Sequence, residues 1–233
     1  MLTIVPTPLG NLEDMTPRAL KALREASAVY CEDTRRTRAL MSHFGISTPL
    51  LRYHEQDARD VRGMLERLKS GASLALVSDG GLPCISDPGR RIVAAARRAG
   101  LGVTALPGGA AVTTALAASG LPADSFVFLG FMARSRGRQV RDLKEAASLD
   151  RTIVVYESPF RVVDLLAAAE EALGAQAQCC VARELSKVHE EWLWGTVAEV
   201  RARLAGREKQ LGEFVVMLHP RPFPQEESHV ASH

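Results

Sequence analysis

Short runs of apolar and β-branched residues alternate along the chain with longer segments whose apolar residues recur at helical spacing. A short apolar run bounded by turn residues is typical of a buried strand, and helical spacing predicts an amphipathic helix. The ten runs predicted as strands are residues 2–5, 28–31, 50–53, 73–77, 102–106, 126–131, 152–157, 178–184, 192–196 and 213–218. Strands that alternate with helices predict an α/β protein with a largely parallel sheet.

This alternation of strands and helices is interrupted once, after a helix of small residues predicted over 111–119. Gly120, Leu121 and Pro122 end that helix, and a new strand begins soon afterwards. The segment after residue 219 is rich in Pro, Glu, Ser and His, which is typical of an unpacked terminus. We therefore predict two α/β domains, at 1–119 and 120–219, and a flexible tail at 220–233.

Two of the predicted helices begin with a capping signal. Thr16 is predicted to cap a helix that starts at Pro17, because proline suits the first helical position. Ser86 or Asp87 is predicted to cap a second helix with Pro88 at its first position.

Composition and charge narrow the class of protein. The 233 residues carry a formal net charge of +2, which excludes a uniformly polycationic nucleic-acid binder but allows a local basic face. No apolar run is long enough to span a bilayer, and the N-terminus lacks the features of a signal peptide. The four cysteines have neither zinc-site nor disulfide-framework spacing, so we predict buried thiols. These properties predict a cytoplasmic protein that requires no metal.

The loops richest in glycine follow the predicted strands at their carboxyl ends, where open parallel sheets bind ligands. Gly80 and Gly81 in one loop, and Gly108 and Gly109 in another, permit close approach to bare backbone amides. Neither loop has the Gly-Lys-Ser/Thr of a triphosphate site, and the neighbouring Asp79 disfavours phosphate. The pattern favours a neutral or cationic ligand with hydroxyl groups, such as an adenosine that carries a sulfonium. Asp79 has an alternative role as an Asx turn in its own loop.

Longer motifs make the chain recognisable. They are PTPLGNLEDMTPRAL (6–20), EDTRRTRALMSHFGI (32–46), SDGGLPCISDPGRR (78–91), YESPFR (156–161), ARELSKVHEE (182–191) and GEFVV (212–216). In this order they resemble the ribosomal RNA small-subunit methyltransferase I family of the tetrapyrrole-methylase superfamily, and the resemblance covers nearly all of residues 1–218. It implies two α/β domains of the tetrapyrrole-methylase type with S-adenosylmethionine (SAM) in a cleft between them, and a homodimer. The activity it implies is SAM-dependent 2′-O-ribose methylation of a cytidine in small-subunit (16S) ribosomal RNA, free or within the assembled 30S subunit.

The resemblance also implies a set of cofactor-binding residues. These are Leu9, Asp79, Gly80, Gly81, Ile85, Gly109, Ala110, Ala111, Ser158 and Arg183. The chain departs from the family pattern where Leu82 replaces the usual Thr and Ala110 the usual Ser, so two hydroxyls are missing. Phe160 stands where His is usual.

Methyl transfer to a hydroxyl mainly requires alignment, and a positioned base adds to the rate. The candidates for the base and its supporting charges are Glu32, Asp33, Glu157, Lys187 and Glu190. Four of these candidates also have an ordinary structural explanation. Glu32 or Asp33 can cap the helix that follows, and Glu157 can be a structural partner of Arg161 or Arg183. Lys187 can be an ordinary surface lysine.

A basic cluster is the candidate RNA surface. The predicted phosphate contacts are Arg35, Arg134, Arg136, Arg138 and Arg141. A solvated helix face is the alternative for the last four. Two other functions are alternatives: a tetrapyrrole C-methyltransferase, and a non-catalytic SAM- or RNA-binding member of the superfamily. The motifs at 32–38, 156–161 and 182–191 argue against the first of them.

Overall fold

The structure is a computed structural model, and it describes residues 1–223. The chain divides into two compact units, Met1–Ala111 and Val112–His233. The division falls at the start of the helix Ala111–Ala118, whereas the predicted boundary followed that helix. Residues 224–233 of the predicted flexible tail lie outside the described residues.

The first unit is built on a five-stranded sheet in the order β3-β2-β4-β1-β5, with every pairing parallel. Its strands are β1 Leu2–Ile4, β2 Ala28–Cys31, β3 Leu50–Arg52, β4 Leu74–Leu76 and β5 Val103–Ala105. Its helices are α1 Pro17–Glu25, α2 Thr34–His43, α3 Ala58–Lys69 and α4 Arg90–Arg98, and α5 Ala111–Ala118 begins at its end. All five strands predicted for this half of the chain are therefore confirmed.

Two hydrophobic clusters lie on the two faces of this sheet, because successive strand residues point to opposite sides. On one face Leu2 and Leu76 pack with Met64 of α3 and Ile92 of α4. On the other face the cluster is formed by Val5, Val29, Ala75, Leu23 and Met41. Helices on both faces are what a parallel sheet requires, since its strands are buried on both sides.

The two predicted helix starts have different outcomes. Thr16 caps α1 by accepting a hydrogen bond from the Ala19 amide over 3.2 Å, with Pro17 at the first position, so this prediction is confirmed. The predicted start at Pro88 is wrong. The chain passes through a left-handed conformation at Ser86, and α4 begins only at Arg90, after Gly89 with φ at 135°.

The second unit has a mixed sheet in the order β6-β7-β10-β8-β9, in which only the β6–β7 pairing is parallel. Its strands are β6 Phe126–Phe131, β7 Thr152–Glu157, β8 Gln178–Arg183, β9 Glu191–Thr196 and β10 Phe214–His219, and its further helices are α6 Arg136–Ala147, α7 Val162–Leu173 and α8 Val197–Ala205. The expectation of a largely parallel sheet is therefore wrong for this half. The connection between β8 and β9 is too short for the crossover that a parallel pair needs.

One hydrophobic core fills the second unit, where α6, α7 and α8 pack on the sheet. Leu143, Leu166 and Leu204 come from these helices, and Val155 and Val216 come from the strands. The chain remains in contact with the sheet beyond β10: Gln178 donates to the carbonyl of Pro222 over 3.1 Å, and the Phe223 ring stacks on Trp194. None of the helices among residues 1–223 combines the length and apolarity needed to cross a bilayer.

The cysteines are all free thiols, as predicted. Cys31, Cys179 and Cys180 are buried, but Cys84 is partly exposed, which corrects the prediction of four buried thiols. Burial raises the pKa of Cys84 to about 11, so this thiol stays protonated at neutral pH.

Candidate functional site

Three loops meet at the carboxyl edge of the first sheet. Thr7, after β1, and Gly81, after β4, form an isolated antiparallel bridge with N–H to O distances of 2.9 and 3.0 Å. The Thr7 hydroxyl donates to the carbonyl of Ser78 over 3.1 Å, and the Ser78 hydroxyl donates to the carbonyl of Gly81 over 3.2 Å. These bonds fix the loop 78–87 against the loop that follows β1.

Glycine lets the third loop, after β5, close on the first. A Cβ atom at Gly108 would lie 2.3 Å from Cγ of Pro6, so only glycine fits there. A Cβ at Gly109 would lie 3.5 Å from Cγ of Leu9. Gly81, with φ at 85°, is the point where the middle loop reaches the other two, because its Cβ position is 3.0 Å from Leu9 and 3.7 Å from the Gly109 carbonyl. The structure thus brings together these predicted cofactor residues.

The backbone amides of this cluster are only partly free. The Gly81 amide donates to Thr7, which corrects the expectation that it is bare. For Gly80, Gly108 and Gly109, no hydrogen bond of the amide is found within residues 1–223. Three of the four predicted backbone donors therefore remain for a ligand.

Asp79 adds a carboxylate to the cluster. Its side chain is about one-third exposed, and its Oδ2 lies 3.8 Å from Nη1 of Arg36 on α2. This contact joins the edge of β2 and α2 to the glycine loops. Ile85, in the same loop, is an exposed apolar side chain. Ala110 lies nearly buried at the end of the β5 loop.

Glu32 and Asp33 follow β2 at this same edge but have different surroundings. Asp33 caps α2 by accepting from the Arg35 amide over 2.8 Å, and it also forms an ion pair with the Arg35 guanidinium. The hydrogen bond from the Arg35 side chain lowers the pKa of Asp33 to about 2. Glu32 is exposed, and its carboxylate has no hydrogen-bond partner within residues 1–223. The capping alternative therefore describes Asp33, and Glu32 is available to a ligand.

A second group of predicted residues lies at one edge of the sheet in the second unit. Glu157, at the end of β7, and Arg183, at the end of β8, both pair in register with Phe214 of β10. Ser158 follows Glu157 directly and belongs to the same edge. The structure thus divides the predicted cofactor residues between the two units.

Glu157 is fully buried, and neighbouring groups at this edge of the sheet neutralise and hydrogen-bond its carboxylate. It accepts from Nε and Nη2 of Arg161 over 2.9 and 2.6 Å, and from the Ser158 amide over 2.7 Å. The Arg161 guanidinium also donates to the carbonyl of Met132 over 3.1 Å. A buried carboxylate needs such partners. These contacts support the structural alternative for Glu157, in which Arg161 is its partner.

Lys187 lies in the loop between β8 and β9. Its Nζ donates to Glu184 over 2.9 Å and to Glu213 over 3.0 Å. Desolvation opposes the charged form, but the two carboxylates outweigh it and raise the pKa of Lys187. Lys187 is therefore a stable cation with one of its three donors left over. The candidate Glu190 accepts from the Ser186 amide over 2.6 Å and holds this loop.

The predicted RNA residues are exposed, and most have a carboxylate neighbour. Arg136 pairs with Glu171 at 3.0 Å, and both Arg138 and Arg141 approach Asp142 at 3.8 and 3.5 Å. Arg134, in the loop before α6, has no ion-pair partner within residues 1–223. Arg35 lies in the first unit, apart in sequence from this cluster, and its charge is paired with Asp33.

One residue that shapes the site gave no signal in the sequence. Glu55, after β3, binds the backbone amides of Gly89 and Arg91 at the start of α4. A cap of this kind joins residues far apart in the chain, and local capping patterns do not reveal it.

Comparison with known proteins defines the class. Residues 1–201 match the tetrapyrrole (corrin/porphyrin) methylases. A solved structure of diphthine synthase has a TM-score of 0.70 and 19% identity, covering 94% of this chain and 89% of that one. Uroporphyrin-III C-methyltransferase from Thermus thermophilus, solved with S-adenosyl homocysteine, has a TM-score of 0.62 and 21% identity, covering 93% and 96%. The chain belongs to the tetrapyrrole methylase family and has its fold.

Relatives with higher sequence identity identify the family within this class. Ribosomal RNA small subunit methyltransferase I of Thermotoga maritima is 42% identical over 218 residues, which are 93% of this chain and 97% of the relative. The protein of the same name from Pseudomonas aeruginosa is 41% identical over 234 residues, covering 99% and 83%. The one from Bacillus subtilis is 42% identical over 219 residues, covering 94% and 74%. Within the tetrapyrrole methylases, the chain belongs to the ribosomal RNA small subunit methyltransferase I family, which confirms the resemblance stated from the motifs.

Proposed function

We propose that the protein transfers a methyl group from SAM to the ribose 2′-oxygen of a cytidine in small-subunit ribosomal RNA. The observation that carries this proposal is the meeting of three loops beside Asp79, in a chain whose relatives bear the name of a ribosomal RNA methyltransferase. The cytidine and the 2′-oxygen come from the family resemblance.

The residues of the first unit fit SAM in their chemistry. The free amides of Gly80 and Gly109 suit the neutral acceptors of the cofactor, and Leu9 and Ile85 offer apolar contact to its adenine. The Asp79 carboxylate suits a ligand with hydroxyls and positive charge, and would disfavour a phosphate. When bound, SAM supplies the electrophilic methyl group. We also propose cofactor contacts for Ala110, Ala111, Ser158 and Arg183.

Within this reaction we propose Glu32 as the group that takes the proton of the ribose 2′-hydroxyl. Its carboxylate is exposed and unpaired within residues 1–223, and it follows β2 at the edge where Asp79 lies. Asp33 is a weak base because its pKa is about 2. We propose that Asp33 and Glu157 act by holding Arg35 and Arg161. For Lys187 we propose that its remaining donor stabilises negative charge on the sugar oxygen or contacts a phosphate.

For the RNA we propose that Arg134, Arg136, Arg138 and Arg141 position the phosphates, with Arg35 as a contact from the first unit. Arg134 is the member whose charge is not offset by a carboxylate within residues 1–223. The homodimer, a cytoplasmic location and a preference for the assembled 30S subunit are further parts of the proposal, and they rest on the family resemblance.

The test uses SAM labelled in its methyl group. The purified protein is incubated with small ribosomal subunits, deproteinised small-subunit RNA and uroporphyrinogen III. We expect label in the RNA, and mass spectrometry of the digested RNA should place it on a cytidine ribose. Label on the macrocycle alone would instead favour a tetrapyrrole methylase, and tight SAM binding without any product would favour a non-catalytic member. Asp79→Ala should weaken SAM binding in calorimetry about tenfold, which corresponds to ~1.4 kcal/mol.

A further inference from the structure

Two aromatic side chains are largely exposed at the edge of the second sheet where β6 and β7 end. Phe131, the last residue of β6, is 61% exposed, and Phe160, after β7, is 86% exposed. Val188, in the loop after β8, is 97% exposed. Single exposed apolar residues are ordinary on protein surfaces. Here three of them lie at or after the ends of β6, β7 and β8. These three strand ends are at the same edge of the sheet, because β6 and β7 are parallel and β10 pairs antiparallel with both β7 and β8.

Hydrogen bonds hold the loops that carry the two rings next to each other. The guanidinium of Arg161, the neighbour of Phe160, donates to the carbonyl of Met132, the neighbour of Phe131, over 3.1 Å. The same guanidinium is fixed by the buried Glu157. The Phe131 ring also meets the Tyr156 ring edge to face, with centroids 5.7 Å apart. The two exposed rings are thus presented by a rigid frame.

Positive charge lies beside these rings. Arg134 follows Phe131 by three residues, and the carbonyl of Ala133 between them accepts from Gln139 of α6 over 2.9 Å, which fixes the loop. From residue 134 to residue 145 the chain carries five cations and two carboxylates. A flat apolar surface next to a basic loop is the combination that binds unpaired bases and the backbone between them.

We propose that Phe131 and Phe160 form a stacking platform for unpaired bases of the RNA substrate, with Arg134 contacting the adjoining phosphate. The inference rests on the proposed function, because it takes RNA as the substrate. It also specifies the conformation of the RNA that binds at this site. Bases in a continuous double helix are already stacked on each other, so the platform selects a single-stranded or splayed segment. The groove of about 700 Å³ between β6 and α6 is lined by Phe131 of the platform and by Arg138. Asp142, Glu145 and Leu149, later in the chain, also line it, and the two carboxylates disfavour a polyanion in that part of the groove.

The experiment compares Phe160→Ala and the double variant Phe131→Ala/Phe160→Ala with Phe160→Tyr, which keeps a flat ring. Leu149→Ala is the matched control, since Leu149 is a 53% exposed apolar residue of the same unit, beyond the opposite end of α6. We expect the alanine variants to raise the KM for small-subunit RNA and the Kd for a labelled single-stranded oligoribonucleotide about tenfold or more. Phe160→Tyr and Leu149→Ala should stay within about twofold of the wild type. SAM binding, measured by calorimetry, should be unchanged in all of them and reports that they are folded.

Salt dependence separates stacking from charge. Phe160→Ala should lower RNA affinity without changing the slope of log K against log salt, whereas Arg134→Ala should reduce that slope by about one. The inference is overturned if the alanine variants bind RNA as the wild type does. It is overturned as well if their affinity for an RNA duplex falls as much as their affinity for the single-stranded oligoribonucleotide. It is also overturned if they change only the sedimentation of the protein, because the rings would then form a contact between copies of this chain. A wild type that binds the oligoribonucleotide but methylates no RNA would contradict the proposed function, and the binding comparison would still decide on the platform.

Discussion

Arg91 donates two hydrogen bonds to Glu55, one from its backbone amide and one from its guanidinium. The Arg91 amide donates to Oε1 of Glu55 over 3.0 Å, and the Arg91 guanidinium donates to the backbone carbonyl of Glu55 over 2.9 Å. Oε2 of Glu55 accepts from the Gly89 amide and from the Tyr53 hydroxyl, each over 2.7 Å. The first amides of a helix have no partner inside it, so a residue of the β3–α3 loop caps α4 and fixes the far end of the loop 78–89.

We expect Glu55→Ala to destabilise the protein by about 2–3 kcal/mol, because it removes a helix cap and leaves the Tyr53 hydroxyl without its acceptor. Burial and the bond to Glu55 raise the pKa of Tyr53, so this hydroxyl remains a donor. Urea unfolding at neutral pH measures the loss. Glu66→Ala, at an exposed position of α3, is the control and should cost no more than about 0.5 kcal/mol. Equal losses in the two variants would contradict the capping role.

The same contact explains why one helix start could not be predicted. Local patterns report a cap only when the capping side chain is a near neighbour in the chain, as Thr16 is for α1. At α4 the left-handed turn at Ser86 delays the helix to Arg90, and Glu55 replaces a local cap. Residues brought together by the fold alone leave no such local signal.

The glycine loops were predictable for a different reason. Their position after β1, β4 and β5 follows from the alternation of strands and helices, since ligand loops lie at the carboxyl ends of parallel strands. That Gly81 also serves as a bridge partner of Thr7 depends on the order of strands in the sheet, which periodicity does not contain. The strand β10 was predicted, but its antiparallel direction was not, because its apolar run has the same pattern whichever direction it pairs.

Gly108→Ala should disrupt the meeting of the three loops. The new methyl group would lie 2.3 Å from the rigid ring of Pro6, so the β5 loop must move away from Leu9. We expect a loss of at least tenfold in SAM affinity by calorimetry and about 1–3 kcal/mol in stability. Gly63→Ala, in α3 with open space around it, is the matched control and should stabilise by up to about 1 kcal/mol. SAM affinity equal to the control would show that the close approach of these loops is not needed.

Glu157 and Arg161 should couple strongly in a double-mutant cycle. Removing the fully buried Glu157 leaves the guanidinium without its main partner, so Glu157→Ala should cost about 3–5 kcal/mol in urea unfolding. The double variant Glu157→Ala/Arg161→Ala should cost less than the sum of the single variants, by about 1–3 kcal/mol. Additive losses would show that the pair does not act as a unit.

Glu32 and Asp33 should differ in their effect on the reaction. Glu32→Gln should lower kcat about 10²-fold or more while the Kd for SAM stays unchanged, if its carboxylate takes the proton. Asp33→Asn keeps an oxygen that can accept from the Arg35 amide, so the cap persists and kcat should fall only severalfold. Single-turnover methylation of small subunits measures both. The opposite order of effects would assign the proton to Asp33 and contradict the role proposed for Glu32.

The contact between Glu184 and Lys187 should give the protein a stability that disappears in acid. Desolvation acts against the ionised Glu184, but the hydrogen bond from Lys187 and the bond from the Glu213 amide prevail and lower the pKa of Glu184 below its ordinary 4.5. A group whose pKa is lower in the folded state contributes fully above its unfolded pKa, and the contribution is lost as the pH falls through the folded value. Lys187 stays charged throughout this range because its pKa is raised.

We therefore expect Glu184→Gln to cost about 1–2 kcal/mol at pH 7, and the difference from the wild type should shrink only below pH 4.5. Urea unfolding at a series of pH values between neutrality and pH 3 measures it. Glu213→Gln is the control, because that side chain is 80% exposed and its ion pair with Lys187 is screened by water, so little should be lost at any pH. A gap between wild type and Glu184→Gln that stays constant into acid would mean that the charge of Glu184 contributes nothing, and that the carboxyl group holds the loop by its hydrogen bond to the Glu213 amide alone.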